Sequence, residues 1–426
     1  MTVTRRFFLK SSSLAVASLS TLTTMPRFLL RASTLNDSME ADTIPHRKIL
    51  IAIFQRGAAD GLNIVIPFAE RNYYELRPTI AIPEPRNGDS ATAIDLDGFF
   101  GLHPSLAPLK PLYNASHLAI IHAAGSADNT RSHFDAQDFM ESATPGVKST
   151  PDGWLNRVMQ AQPVSQPTPF RGVALSPQMP RSLYGPAPAV AMTNLNDFGI
   201  HGGRYTDQLT QAFEMLYGRS AGDNVRATGA ESFEAVRFLK QVNPQQFQPE
   251  HEASYPNGPF GNGLKQIAQL IKSKVGLEVA FTDIGGWDHH AGEGNVQGQL
   301  ANRLKEFSEG LVAFYTDLGD RMEDVVVLTM SEFGRTTREN GNRGTDHGHA
   351  NCMFVLGGPV KGGKVYAQWP GLRNEDLYEG RDLALTTDFR DVFSEVVYKH
   401  LGCKNLDRIF PGFKTSPASF RNFIKT

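Results

Sequence analysis

Residues 325–336 read Val325-Val326-Val327-Leu328-Thr329-Met330-Ser331-Glu332-Phe333-Gly334-Arg335-Thr336. The first six have no polar face, so they predict a strand buried on both sides, as in parallel sheets. Just upstream, Leu300, Leu304, Phe307, Leu311, Phe314, Leu318 and Met322 are spaced by 4, 3, 4, 3, 4 and 4. That spacing draws one continuous apolar stripe along a helix, and such a stripe must dock on a sheet. A docked helix followed by a doubly buried strand whose end carries Glu332 and Arg335 is the signature of an α/β domain with chemistry at its strand ends.

The alternation continues in both directions. Ile49–Phe54, Leu118–His122, Leu277–Thr282 and Met353–Leu356 read as further core strands. Helices are expected around 104–113, 264–274 and 388–401, the last with Thr386-Thr387-Asp388 at its N-cap. The pattern predicts a three-layer αβα sandwich with a mostly parallel central sheet over residues 46–402 and a tail over 403–426. Residues 149–262 read as an insertion or lid of loops, Pro/Gln-rich at 162–168, with helices near 206–217 and 229–242. No internal repeat is present.

The chain has 426 residues, with 42 Lys and Arg against 44 Asp and Glu, a formal charge of -2. No overall field recruits nucleic acid or anionic lipid. Apolar residues make up 40 % and charged residues 20 %, so the chain folds rather than staying disordered. Cys352 and Cys403 are too few for a thiolate metal site; buried free thiols are expected, a single bridge being the alternative.

Residues 4–10, Thr4-Arg5-Arg6-Phe7-Phe8-Leu9-Lys10, precede a weakly apolar stretch too short and too diluted to span a bilayer. They resemble a twin-arginine export signal, which assigns residues 1–40 to a signal peptide and linker. The expected partner is the twin-arginine export machinery, and the expected location periplasmic or secreted, with no permanent membrane span.

Of 12 histidines, five fall in three short motifs: Arg131-Ser132-His133, Trp287-Asp288-His289-His290 and Asp346-His347-Gly348-His349. Asp60, Ser132, Asp288 with His289 and His290, and Glu332 all follow expected strands by a few residues. Ligand sites in such sheets lie beyond the carboxyl ends of the strands, so these groups can share one crevice. His347 and His349 precede a strand, and join that crevice only if the strand runs antiparallel or its loop folds across. Asp60, Asp288, His289, His290, Glu332, Asp346, His347 and His349 are the candidate metal ligands; carboxylates with imidazoles suit zinc and manganese. Ser132 is a candidate nucleophile, with helix capping as its other reading; Arg335 and Arg131 either hold an anionic substrate or neutralise carboxylates.

These motifs, with Gly57-Ala58-Ala59-Asp60-Gly61, Ser331-Glu332-Phe333-Gly334-Arg335-Thr336 and Thr387-Asp388-Phe389-Arg390-Asp391-Val392, resemble a twin-arginine-exported bacterial family of unknown function (domain of unknown function 1501). That family is in turn similar to the alkaline phosphatase/sulfatase superfamily of metal-dependent hydrolases. The resemblance implies a phosphate- or sulfate-ester hydrolase with Ser132 as nucleophile, Arg335 beside the substrate, and one or two divalent cations, zinc, manganese or calcium. Asp60 and Glu332 then resemble ligands of one cation, and Asp288 and His290 with His347 or His349 those of the other. The departure is Glu332-Phe333-Gly334, where the superfamily usually has Asp-His-Gly; one imidazole is missing, and the adjacent His133 is placed to supply it. The competing expectation is an exported binding module for an anionic or cell-surface ligand, with the fold kept and the chemistry lost.

Overall fold

The computed structural model describes residues 47–164, 168–195 and 235–425. The twin-arginine-like segment and the helix expected at 206–217 lie outside them.

Among the described residues twelve strands form: β1 (Ile49–Arg56), β2 (Val65–Ile66), β3 (Ile94–Asp95), β4 (Gly101–Leu102), β5 (Leu118–Gly125), β6 (Gly172–Leu175), β7 (Ala189–Met192), β8 (Val279–Gly285), β9 (Val325–Met330), β10 (Asn351–Gly357), β11 (Lys364–Tyr366) and β12 (Thr387–Asp388). The nine-stranded central sheet runs β11-β5-β10-β9-β1-β8-β6-β7, with β12 also on β5, while β2, β4 and β3 make a small sheet of their own. β1 lies parallel to both β8 and β9, Ile51 opposite Ala280 and Val327. β10 alone breaks the parallel pattern, running antiparallel to both β9 and β5. It can do so because the chain re-enters from a loop at the same end of the sheet, without the crossover helix a parallel neighbour needs.

The residues of β1 alternate between two cores. Ile49, Ile51 and Ile53 face one cluster, Leu50, Ala52 and Phe54 the other, which is what an all-apolar strand requires. The first layer is made by helices later in the chain, Pro259–Lys272 and Gln299–Leu318; the second is made by α1 (His133–Ser142), α2 (Trp154–Ala161) and a helix at Phe389–Glu395 that continues as a π turn to His400. We name those three α3 (Pro259–Lys272), α4 (Gln299–Leu318) and α5 (Phe389–Glu395). The stripe of α4 is buried as its spacing demands, with Leu300, Leu304, Phe307, Leu311, Phe314 and Leu318 all at 0 % exposure. Each such side chain contributes about 1.5–3 kcal/mol, and Phe307→Ala would cost about 3–5 kcal/mol. This is the three-layer αβα architecture with a mostly parallel sheet that the sequence pattern predicts.

Three local readings need correction. Residues 149–262 are not only loops: they supply α2 and add β6 and β7 to the edge of the sheet. Gly-Val-Ala-Leu and Ala-Val-Ala-Met are too short to stand out from Gly/Pro-rich text. Residues 403–426 are not a loose tail, since Ile409, Phe410, Phe423 and Ile424 are fully buried in the α5 layer. The helix expected over 104–113 is a 3-10 turn, Pro104–Leu109, followed by Lys110–Asn114, because Pro108 interrupts the ladder. Both cysteines are buried and free. Among the described residues no helix is long and apolar enough to cross a membrane.

Candidate metal centre

β1, β5, β8 and β9 all end on one side of the sheet, and antiparallel β10 starts there. Its direction brings His347 to the same edge as Glu332, Asp288 and His133. The loop after β8 explains the choice of side chains. Trp287 is fully buried and its indole N–H donates to the Ile284 carbonyl at 2.8 Å, so Asp288 turns outward, His289 inward and His290 outward again. Gly57 lets the loop after β1 pass close by: its φ is +116°, and a Cβ there would stand 2.9 Å from the Asp288 nitrogen. Its N–H donates to Glu332 Oε1 at 2.9 Å.

His133, Asp288 and His347 each present one ligand atom within 4.8 Å of the others. His133 Nε2 lies 3.0 Å from His347 Nε2 and 3.4 Å from Asp288 Oδ2. His347 Nε2 lies 3.4 Å from Asp288 Oδ1. His290 joins from the open side, its Nε2 2.9 Å from His347 Nε2 and 3.1 Å from Asp288 Oδ1. Ligands at about 2.0–2.1 Å around one tetrahedral cation stand about 3.3 Å apart, close to these separations.

The other nitrogen of each ring is tied to an acceptor. His347 Nδ1 meets the Arg131 carbonyl at 2.8 Å, His133 Nδ1 meets Glu332 Oε1 at 2.9 Å, and His290 Nδ1 meets Asp346 Oδ1 at 3.0 Å. A carbonyl or carboxylate only accepts, so each Nδ1 carries a proton, and each ring turns its Nε2 toward Asp288. An acceptor held on Nδ1 is what fixes the orientation of an imidazole on a metal. Phe333 packs against the rings of both His133 and His347, at 5.0 Å between centroids, and forms the wall behind them.

The electrostatics agree with this division. Burial lowers the readiness of His347 to protonate. His133 goes the other way: its hydrogen bond to Glu332 raises its pKa against the effect of burial. Burial opposes ionisation of Asp288, but the hydrogen bond and charge of Arg335 overcome it and hold the carboxyl below its usual range. Arg335 donates to Asp288 Oδ1 at 2.6 Å and to Thr345 Oγ1 at 3.1 Å, and Thr345 donates to buried Glu293 at 3.0 Å.

The remaining candidates stand elsewhere. Asp60 is buried and bound in two-pronged fashion by the equally buried Arg77, which also holds Asn63. Burial and the charge of Asp60 drive its neighbour Glu293 well above the ordinary carboxyl range. Glu332 Oε1 is met by the Gly57 N–H, His133 Nδ1 and the Gln137 amide, while Oε2 meets the Ser331 hydroxyl, which also donates to the Gln55 carbonyl. It is an anchor for His133 rather than a direct ligand. Asp346 plays that part for His290. His289 points inward, and His349 stacks on Tyr378 with 4.3 Å between ring centroids. Ser132 is the N-cap of α1, accepting from the Asp135 N–H at 3.5 Å. Arg131 pairs with Glu379 and Asp382. His133 is the member of the group that strand-end reasoning nearly missed, since it opens a helix; Arg77 and Glu293 sit in unpatterned segments that carry no signal at all.

No curated protein matches this chain. Among solved structures it is similar to the C-terminal periplasmic domain of EcEptC from Escherichia coli, in complex with Zn, at 9 % identity over 74 % of each chain and a TM-score of 0.34. The family model described as "Protein of unknown function (DUF1501)" matches residues 47–407, and the chain belongs to that family.

Proposed function

We propose that the chain is an exported metal-dependent hydrolase of phosphate or sulfate esters working with one divalent cation, held by His133, Asp288 and His347 with His290 beside them. The observation that carries this reading is the convergence of Nε2 atoms on one carboxylate, every Nδ1 being engaged by an acceptor. Imidazoles with a carboxylate suit zinc or manganese, whereas calcium takes six to eight oxygens. The reading takes one cation because Asp60 is committed to Arg77 and Glu332 Oε1 to Gly57, His133 and Gln137. The open situation of the group, with the Asp288 side chain 41 % and that of His290 45 % exposed, fits a catalytic rather than a closed structural site.

A cation there would polarise an ester oxygen and favour ionisation of a nearby hydroxyl or water. The chain's own groups do the rest. Ser132 stands next to His133 at the head of α1 and is the nucleophile of this reading: its Oγ takes the phosphoryl or sulfuryl group as the ester oxygen leaves, and water then releases it. Arg335 keeps Asp288 ionised. Motif order resembling the alkaline phosphatase/sulfatase superfamily supports the substrate class, and the residues 4–10 signal supports export. Elemental mass spectrometry of the full chain tests the first half, with about one equivalent of zinc or manganese expected and none from His347→Ala. Turnover of aryl phosphate and aryl sulfate esters tests the second, with Ser132→Ala expected to abolish it. Metal without turnover of either ester would leave the second reading, a metal-containing binding module, which the capping role of Ser132 favours.

A further inference from the structure

Beside the cluster lies a cleft of about 470 Å³ whose wall includes Asp346, the partner of His290. Three arginines line it. Arg373 is committed, in two-pronged contact with Asp376. Arg338 is exposed, and among the described residues its guanidinium has no ion pair or hydrogen bond. Arg381 gives Nη2 to the His347 carbonyl at 2.9 Å and otherwise only approaches Asp382, at 3.5 Å.

The backbone holds these two arginines side by side. Thr336 pairs across to Asp382, and Thr337 donates to the Arg381 carbonyl from its N–H at 3.2 Å and its hydroxyl at 2.6 Å. Thr336 Oγ1 donates to the Arg338 carbonyl at 2.9 Å. Two guanidiniums therefore rise from neighbouring, cross-bonded backbone into one polar cleft. The acids of the cleft do not use them: Glu339 is occupied by the Thr79 hydroxyl and the N–H groups of Thr79 and Ile80, Glu75 by Arg71, and Asp346 by His290 and Asn340. The unpaired guanidinium of Arg338, beside Arg381 with only one hydrogen bond and a long ion pair, matches an oxyanion.

We propose that this cleft is a subsite for a second oxyanion on the substrate, a phosphate or sulfate group gripped by Arg338 and Arg381, so that the substrate is a small polar molecule bearing two anionic groups. Its role as a substrate subsite rests on the hydrolase reading; the anion site itself stands without it. Arg381 touches only the backbone carbonyl of His347, which His347→Ala retains. The test is calorimetric titration of the full chain with inorganic phosphate and, separately, inorganic sulfate, the tighter of the two naming the group.

In the His347→Ala protein, shown by elemental analysis to hold no metal, one of the two anions still binds. Adding Arg338→Ala weakens that binding by about tenfold or more, as loss of a charged hydrogen bond does. No binding of either anion to His347→Ala, or an affinity unmoved by Arg338→Ala, overturns the proposal. Should His347→Ala fail to fold, the unaltered chain stripped with a chelator takes its place, with the same two outcomes. A chain that never holds metal yet shows the Arg338-dependent anion site would fail the hydrolase reading alone.

Discussion

His122 lies within β5 and His133 opens the helix that follows it, and the two use their rings in opposite ways. In the scaffold, His122 Nε2 donates to the Val65 carbonyl at 2.9 Å and Nδ1 accepts the Ala123 N–H at 2.8 Å. His103 does likewise, with the Asn295 carbonyl at 2.9 Å and the Ser105 N–H at 3.0 Å. Both nitrogens are satisfied inside the protein and the ring is neutral structural material. In the cluster only Nδ1 is satisfied internally. The Nε2 atoms of His133, His290 and His347 are aimed at one another and at Asp288, which internal packing alone does not reward. Asp60 and Asp288 repeat the contrast. The first is closed off by Arg77 and 2 % exposed, while the second keeps one oxygen for Arg335 and its side chain is 41 % exposed. Groups that serve folding find their partners within the chain, and groups that serve chemistry are held ready for partners from outside.

Acid should separate the two kinds of histidine most strongly. Burial pushes His103, His122 and His400 each down to about 4. A folded-state pKa below the unfolded value of about 6.5 means that the unfolded chain binds the extra protons in between. Stability is then full above about pH 6.5 and falls as the pH drops toward 4, each histidine contributing up to roughly 3 kcal/mol. Urea midpoints of the metal-free chain across that range check it. Metal release should begin at higher pH than this unfolding, because the Glu332 hydrogen bond raises His133 and protons compete there first. Coincident loss of metal and fold would erase the distinction between the sets.

The next test is on the carboxylates. Arg77→Met leaves Asp60 buried beside an apolar side chain and should cost about 3–5 kcal/mol in urea unfolding. His347→Ala, at a partly exposed position, should change the stability of the metal-free chain by no more than about 0.5 kcal/mol. Equal losses from the two would mean that the cluster too is structural.

Glu332→Gln gives the smallest effect and sharpens the boundary. Removing the charge that fixes the His133 ring should weaken metal binding about 10- to 100-fold, read by competition with a chromogenic chelator. If stability falls while affinity stays, Glu332 belongs with the buried set and not with the cluster.

Much of the scaffold was legible because its signals are local. All-apolar runs such as Val325–Met330 announce doubly buried strands, and the 4-3-4 stripe from Leu300 announces the helix that covers them. The strand ends named the region of the site for the same reason. Ser132, Asp288, His290, Glu332 and His347 were all marked in the sequence, but the partners that hold them were not. Glu332 looks like a ligand until four donors are seen around it. Asp60 looks available until Arg77, 17 positions away, is found across both of its oxygens. β6 and β7 were hidden by their shortness, and the last residues by the absence of any period.

Composition, periodicity and motif order were enough to determine an α/β sandwich with acid and imidazole groups gathered at one edge. Those properties follow from side-chain pattern along the chain. Which groups meet was decided only by tertiary structure: by the reversed direction of β10, which carries His347 back over the strand ends to His133, and by the distant donors that gather on Glu332. Pairing across more than two hundred residues is set by packing of the whole sheet, and no local spacing encodes it.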